Sequence, residues 1–170
     1  MSISMYSASV PVISRLLNNM LGWLDKADEH AKNKKFEPSV YLGMRLAPDM
    51  FTLTRQVQIT SDSAKGCVAR LAGVEMPKWE DNEASLDDLR ARIRKTIDYV
   101  QSFTPAQLDG TEEREILVPR RTGEPNRFEG EVFLKHYAMA NVYFHATTTY
   151  ALLRHAGVDL GKSDFLGPLK

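Results

Sequence analysis

The stretch from Glu131 to Ala156 constrains the fold of this chain more than any other part of the sequence. It contains no proline or glycine, it is rich in aromatic and aliphatic side chains, and it holds three of the four histidines, His136, His145 and His155. A single helix of this length would span about 39 Å. Its large apolar side chains point in most directions around the axis, and such a helix is normally buried. We therefore expect neighbours on most of its sides, either within the fold or in an oligomer.

The composition is that of an ordinary globular protein. Of the 170 residues, 43% are hydrophobic and 26% are charged, and 22 basic side chains balance 22 acidic ones. A chain without net charge lacks the bulk electrostatic attraction that nucleic acids and anionic membranes exploit, so we expect neither as a partner. We expect one domain over residues 1–170, because this length lies in the single-domain range and no linker-like composition divides the chain.

The start of the chain and its cysteine content bear on location and on chemistry. No basic residue precedes Arg15, and polar residues interrupt the early apolar run, so the sequence predicts neither a signal peptide nor a membrane span. We expect a cytoplasmic protein. The single cysteine, Cys67, excludes an intramolecular disulfide and a cysteine-rich metal site. Its place on an apolar helical face favours an inert core residue.

Three further helices are predicted from apolar residues at the three-and-four spacing of a buried helical stripe. Together with the long stretch they give helices near 10–31, 48–72, 86–103 and 130–156. The second helix is expected to begin near Pro48, because proline is accommodated in a first turn. Asp49 beside it would stabilise the positive end of the helix dipole. Asp49, Gln56, Thr60 and Ser63 form a polar row along one flank of this helix, which borders either a pocket or solvent.

The connection between the second and third helices decides the topology. Its 12 residues, 74–85, could extend about 40 Å, which is enough to run the full length of a bundle. The third helix can therefore lie parallel to the second, whereas a short loop would force an antiparallel pair. Between the third and fourth helices, REILVP is a short β-type run, TGEPN supplies turn residues, and RFEGE returns toward the last helix, so a small hairpin is predicted. The tail, 157–170, is expected to fold over one end of the bundle.

The histidines of the last helix cannot share one metal ion. Ligands on one helix need a spacing of three or four residues to point the same way. His136 and His145 are nine residues apart, which puts them half a turn out of phase and about 13.5 Å apart along the axis. His145 and His155 lie about 15 Å apart along it. The chain also has no glycine-rich phosphate loop, no dinucleotide fingerprint, no HExxH and no nucleophile elbow.

Three segments resemble one bacterial family. They are MYSASVPV (Met5 to Val12), RLAPDMFTLTRQVQ (Arg45 to Gln58) and ANVYFHATTTYALLRHAGVDLGKSDFLG (Ala140 to Gly167). They look like an uncharacterised domain-of-unknown-function family within the DinB/YfiT-like superfamily. The resemblance implies an all-α fold, a four-helix bundle with a long crossover connection that is often dimeric. The small β-hairpin predicted above from the residues would lie before its last helix. Many relatives bind a divalent metal through one histidine on helix two and an HxxxH pair on helix four, and some are thiol-dependent transferases.

This chain departs from that metal pattern. The pair with the required spacing on helix four is Asn141 and His145, and an amide oxygen is a poorer ligand for a transition metal than imidazole. Helix two offers Asp49 and Gln56 in place of a histidine. A divalent metal held by His145, Asp49 and Asn141, with water completing the shell, stays open. A metal-free pocket or a hydrogen-bonded core is favoured, so no metal is expected and the cofactor is unknown.

Two functions of different classes follow. In the first, Asp49, Gln56, Asn141 and His145 line a small-molecule pocket between helices two and four. Asp49 and His145 would form an acid/base pair if they lie within hydrogen-bond reach, in a diverged metal-dependent or thiol-dependent transferase-like enzyme. Alternatively, His145 simply satisfies a side chain across the bundle. The second function is a non-catalytic dimeric structural or interaction protein without metal. We expect a homodimer, which a strictly monomeric mass by light scattering would contradict.

Overall fold

The computed structural model describes residues 3–168, and four long helices form where the apolar spacing predicts them. Residues 1, 2, 169 and 170 of the predicted domain lie outside the described part. The elements are α1 (Val10–Lys34), a 3₁₀ turn (Pro38–Tyr41), α2 (Leu53–Ala72), α3 (Leu86–Gln101), α4 (Pro105–Leu108), β1 (Glu115–Val118), β2 (Asn126–Glu129), α5 (Gly130–Val132), a π-helical turn (Phe133–Ala138), α6 (Met139–His155) and α7 (Lys162–Leu166). Helix α5, the π-helical turn and α6 together form the predicted fourth helix. The all-α bundle with a crossover and a hairpin is confirmed.

The second helix begins five residues later than its proline suggested. Thr52 caps α2, because its hydroxyl accepts a hydrogen bond from the Arg55 amide at 3.3 Å. Threonine is a favoured N-cap because it satisfies a backbone donor that the first turn leaves unpaired. Pro48 and Asp49 lie in a turn before this cap. At the other end, Gly73 adopts a left-handed conformation with φ of 71° and closes the helix.

The crossover retraces α2 before α3 begins. The Lys65 ammonium donates to the Pro77 carbonyl at 3.2 Å, and further on the Gln58 amide donates to Glu83 at 2.7 Å. The chain after Gly73 therefore runs back toward the start of α2. From there, α3 lies parallel to α2. Arg92 of α3 pairs with Asp62 at 3.0 Å.

The last helix packs antiparallel to α2 and leaves part of its surface uncovered. Buried Phe133 and Leu152 lie near its two ends, and Val142 and Ala146 lie between them. Phe144, in contrast, is 58% exposed, and Tyr143 beside it is also exposed. The apolar belt inferred from the sequence is thus only partly covered within the bundle. Self-association through this face stays a prediction.

A buried lysine, Lys65, and a buried cysteine, Cys67, lie in the core. Lys65 is buried to 1% exposure among the largest fully buried side chains. Its ammonium lies 3.8 Å from the centroid of the Trp79 ring and 3.0 Å from the Asp62 carboxylate, so its charge is compensated. Burial raises the pKa of the Cys67 thiol to about 12. Cys67 is therefore protonated at neutral pH and is not a nucleophile.

The hairpin and the tail both pack against the helices of the bundle. β1 and β2 pair antiparallel, with Ile116 opposite Phe128, and Ile116 faces the core. In the tail, Phe165 of α7 stacks on Trp23 of α1. The prediction that the tail folds over one end of the bundle is wrong: its described part runs antiparallel along α1, from Lys26, which donates to the Asp159 carbonyl at 3.1 Å, to Asn19, which donates to the Phe165 carbonyl at 2.8 Å. Among residues 3–168, no helix combines the length and the apolar character needed to cross a membrane.

Candidate functional site

His145 and Gln56 join the two helices that face each other. The imidazole Nδ1 lies 2.6 Å from Gln56 Oε1. The Gln56 amide nitrogen donates to the Phe51 carbonyl at 3.4 Å, which orients the amide with Oε1 toward the imidazole. Because Oε1 can only accept, Nδ1 must donate to it. His145 therefore carries its proton on Nδ1 and presents the lone pair of Nε2, which has no hydrogen-bond partner among the described residues.

The environment of His145 favours the neutral imidazole. Burial lowers the pKa of His145, and the positive charge of Arg55 lowers it further. Arg55 is itself held by Asp81 and by Gln58, whose Oε1 accepts at 3.1 Å. A neutral imidazole with a free Nε2 can accept a hydrogen bond or a proton from a bound molecule.

This pKa shift predicts a loss of stability at mildly acidic pH. The unfolded chain takes up a proton at the ordinary histidine pKa of about 6.5, whereas folded His145 takes it up only at lower pH. The free energy of unfolding should therefore fall as the pH drops from about 6.5 toward the lower folded-state pKa. Urea midpoints measured near neutral pH and about one unit below 6.5 check this.

Two variants isolate the contribution of His145. His145→Gln should show a smaller difference between the two midpoints than the wild type, because the titrating group is gone. His136→Gln, which removes an exposed histidine of the same helix, is the matched control and should keep the wild-type difference. Equal pH dependence in wild type and His145→Gln would rule out this effect.

The other two predicted site residues lie apart from this hydrogen bond. Asp49 lies in an exposed turn ahead of the Thr52 cap, and in the described part of the chain no hydrogen bond joins its carboxylate to His145. Asn141 lies one helical turn before His145, and its amide nitrogen donates to the Tyr137 carbonyl at 2.7 Å. The structure thus joins Gln56 to His145, places Asn141 one turn away along the same seam, and leaves Asp49 in the loop.

A cavity of about 220 Å³ lies in the seam between α2 and the last helix, beside Asn141. We call it the seam cavity. Apolar side chains form much of its wall, among them Ile59, Met76, Phe133 and Tyr137. The polar groups that line it are Asp62, Ser63, Arg70 and Asn141.

The last helix contributes to the seam cavity through its π-helical turn. Phe133, Tyr137 and Ala138 of this turn all line it. A π-helical turn inserts one extra residue into a helix, and such turns occur often at functional sites. The sequence gives no compositional signal for the turn, because its residues fit an ordinary helix equally well.

Sequence reasoning also missed Arg70. Its guanidinium lies across Gly66, one turn earlier on α2, since a Cβ at Gly66 would overlap Arg70 Nη1. A glycine in the interior of a helix, four residues before an arginine, is the signal that could have drawn attention to this pair. The sequence alone does not reveal that the arginine folds back into the seam.

Comparison with known proteins places the chain in a family. Residues 5–166 match the family described as "Domain of unknown function (DUF1993)". The chain belongs to this family. It is also similar to the crystal structure of a DinB family member protein from Shewanella denitrificans, with 41% identity and a TM-score of 0.90 over 96% of this chain and 92% of that one. No curated protein matches the chain. The family and the fold are thereby established.

The side chains of this DUF1993 protein do not match the three-histidine metal site that the DinB resemblance implies. His145 supplies one imidazole nitrogen, while the Gln56 oxygen is occupied by His145 itself. Within residues 3–168, no group of three His, Cys, Asp or Glu side chains is close enough to hold a metal ion. One imidazole with amide oxygens is a weak donor set for a transition metal.

Proposed function

We propose that this DUF1993 protein binds a small molecule in the seam between α2 and the last helix. The observation that carries the proposal is the seam cavity, which both helices line and which combines apolar walls with a few polar groups. Ligand sites in proteins have this composition, because apolar surface supplies affinity while a few polar groups fix the orientation.

The size of the cavity limits the ligand. Pockets for drug-sized molecules occupy roughly 300–1,000 Å³, and the seam cavity, at about 220 Å³, is smaller. A ligand with one ring or a short branched chain fits this space. Larger molecules would need part of their structure to extend out of the seam.

His145 could act as a base on a ligand bound in the seam, which would make the protein an enzyme. Asn141 lines the seam cavity, and His145 follows it by four residues, so the two side chains lie on the same side of the helix about 6 Å apart along its axis. The free Nε2 of a neutral His145 would serve as hydrogen-bond acceptor or base for a ligand that extends along the seam. A thiol-dependent transfer would require an external thiol, because Cys67 is fully buried and protonated.

A neutral probe tests whether the seam cavity binds small molecules at all. Benzyl alcohol has one ring and no charge, and by mass action it should raise the melting temperature of the wild type in a concentration-dependent way. Ser63→Leu fills part of the cavity from a lining position and should weaken this effect. Saturation-transfer NMR with the same probe gives an independent measure.

The matched control is Ser102→Leu, which changes an exposed serine at the end of α3. Ser102→Leu should respond to benzyl alcohol as the wild type does. An equal response of wild type and Ser63→Leu would place any binding outside the seam cavity. The absence of any response in the wild type would contradict the proposed function.

A further inference from the structure

We infer that the ligand of the seam cavity is a small organic acid, whose carboxylate pairs with Arg70 and whose apolar body fills the space between α2 and the last helix. The inference rests on the proposed function, because it names the class of molecule that the same cavity takes. Charge, packing and unpaired hydrogen-bonding groups each support it.

The charges that line the seam cavity are unbalanced. Asp62 is the one carboxylate in its wall, and it is already shared by Lys65 and Arg92, each at 3.0 Å. Arg70 is the one cation in the wall, and it forms no ion pair and no side-chain hydrogen bond with any residue of the range 3–168. The cavity therefore offers an uncompensated guanidinium, which binds a carboxylate in a bidentate geometry.

The packing around Gly66 holds the guanidinium in place. A Cβ at Gly66 would overlap Arg70 Nη1 and would lie 3.4 Å from both Arg70 Cζ and Met76 Sδ. The guanidinium thus lies against the backbone of α2 instead of extending into solvent. Glycine inside a helix is less favourable than alanine by about 1 kcal/mol. A glycine at this buried position is explained by the Arg70 guanidinium, which occupies the space that a side chain at residue 66 would need.

The usual explanation for an arginine near the end of a helix does not account for this position. Cations there stabilise the negative end of the dipole and bond the last carbonyls. In α2 this role is filled by Arg114, which donates to the Leu71 carbonyl at 2.7 Å, and by the Gly73 amide, which bonds the carbonyls of Ala69 and Arg70. The Arg70 side chain instead folds back one turn, toward the cavity.

Two further polar groups of the cavity wall, those of Asn141 and Ser63, would form hydrogen bonds with the ligand. The Asn141 amide nitrogen is committed to the Tyr137 carbonyl, so its Oδ1 remains as an acceptor. The Ser63 hydroxyl has no side-chain or backbone partner in the described part of the chain. A hydroxyl or amino group on the acid would satisfy Asn141, and Ser63 can donate to the carboxylate.

The test compares two probes of nearly equal shape, benzoate and benzyl alcohol, by NMR titration of the whole protein. Benzoate should bind the wild type about tenfold or more tightly than benzyl alcohol, as expected for hydrogen bonds to a charged group. Arg70→Gln should abolish this preference while benzyl alcohol still binds. Arg94→Gln, which removes an exposed arginine of α3, should leave both affinities unchanged.

Gly66→Ala separates the position of the charge from its presence. It keeps Arg70 but displaces the guanidinium, so benzoate binding should weaken while the unfolding midpoint is held or raised by the better helix former. Equal affinity for benzoate and benzyl alcohol would overturn the inference and leave the cavity proposal standing. Undiminished benzoate preference in Arg70→Gln would also overturn it. Binding of neither probe would overturn both.

Discussion

Replacing Arg92 with alanine should lower the free energy of unfolding by about 3 to 5 kcal/mol, because it leaves the buried Glu83 carboxylate without its counter-charge. The Arg92 side chain is only 3% exposed and pairs with Glu83 at 2.7 Å and with Asp62 and Asp81 at 3.0 Å. It also donates to the Glu80 carbonyl at 3.0 Å. Arg92, a residue of α3, therefore binds both α2, through Asp62, and the crossover, through Glu80, Asp81 and Glu83.

Urea denaturation measures the loss, and the hairpin supplies a matched control. Arg127 pairs with Glu115 at 2.6 Å, but both side chains are more than 60% exposed. Water and salt screen such a pair, so Arg127→Ala should change the free energy of unfolding by no more than about 1 kcal/mol. Similar losses in Arg92→Ala and Arg127→Ala would mean that the crossover does not depend on this buried cluster.

The fold could be predicted because its signals are local and repeated. The helical stripes, the long connection before Ser85 and the turn residues between β1 and β2 each fix one element. The start of α2 shows where such signals compete. Pro48 with Asp49 and Thr52 are both sequence signals for a helix start, and the structure uses Thr52, whose hydroxyl caps the first turn. This single difference moves Asp49 from the helix into a loop.

The candidate site could be predicted only in part, because it depends on side-chain directions. Gln56 and His145 lie on the facing sides of α2 and α6, so helical spacing alone suggests that they come close. Around Gly66, in contrast, the crossover brings Met76 close to the same point as the Arg70 guanidinium. Helical spacing brings Gly66 and Arg70 together, but it contains no information about Met76. A reader of the sequence would assign Arg70 to the helix end, where Arg114 lies.

Truncating Trp23 to alanine should lower the free energy of unfolding by about 3 to 5 kcal/mol, because it opens a large cavity at a fully buried position. The indole stacks on Phe165 with ring centroids 5.4 Å apart and forms a T-shaped pair with Tyr150, with ring centroids 5.5 Å apart. Its Nε1 donates to the Asp164 carbonyl at 2.9 Å. Trp23 thus fixes α7 and the last helix on α1 through one side chain.

Two further variants assign this loss to the tail. In a double-mutant cycle, Trp23 and Phe165 should show a coupling energy of about 0.5 to 1.5 kcal/mol, the range for aromatic pairs beyond their burial. Phe144→Ala removes an aromatic side chain that is 58% exposed, and a surface change of this kind should alter stability by no more than about 0.5 kcal/mol. If Trp23→Ala destabilised the protein no more than Phe144→Ala, the tail would not be anchored through Trp23. If the two losses at Trp23 and Phe165 were simply additive, their stacking would contribute nothing beyond the burial of each ring.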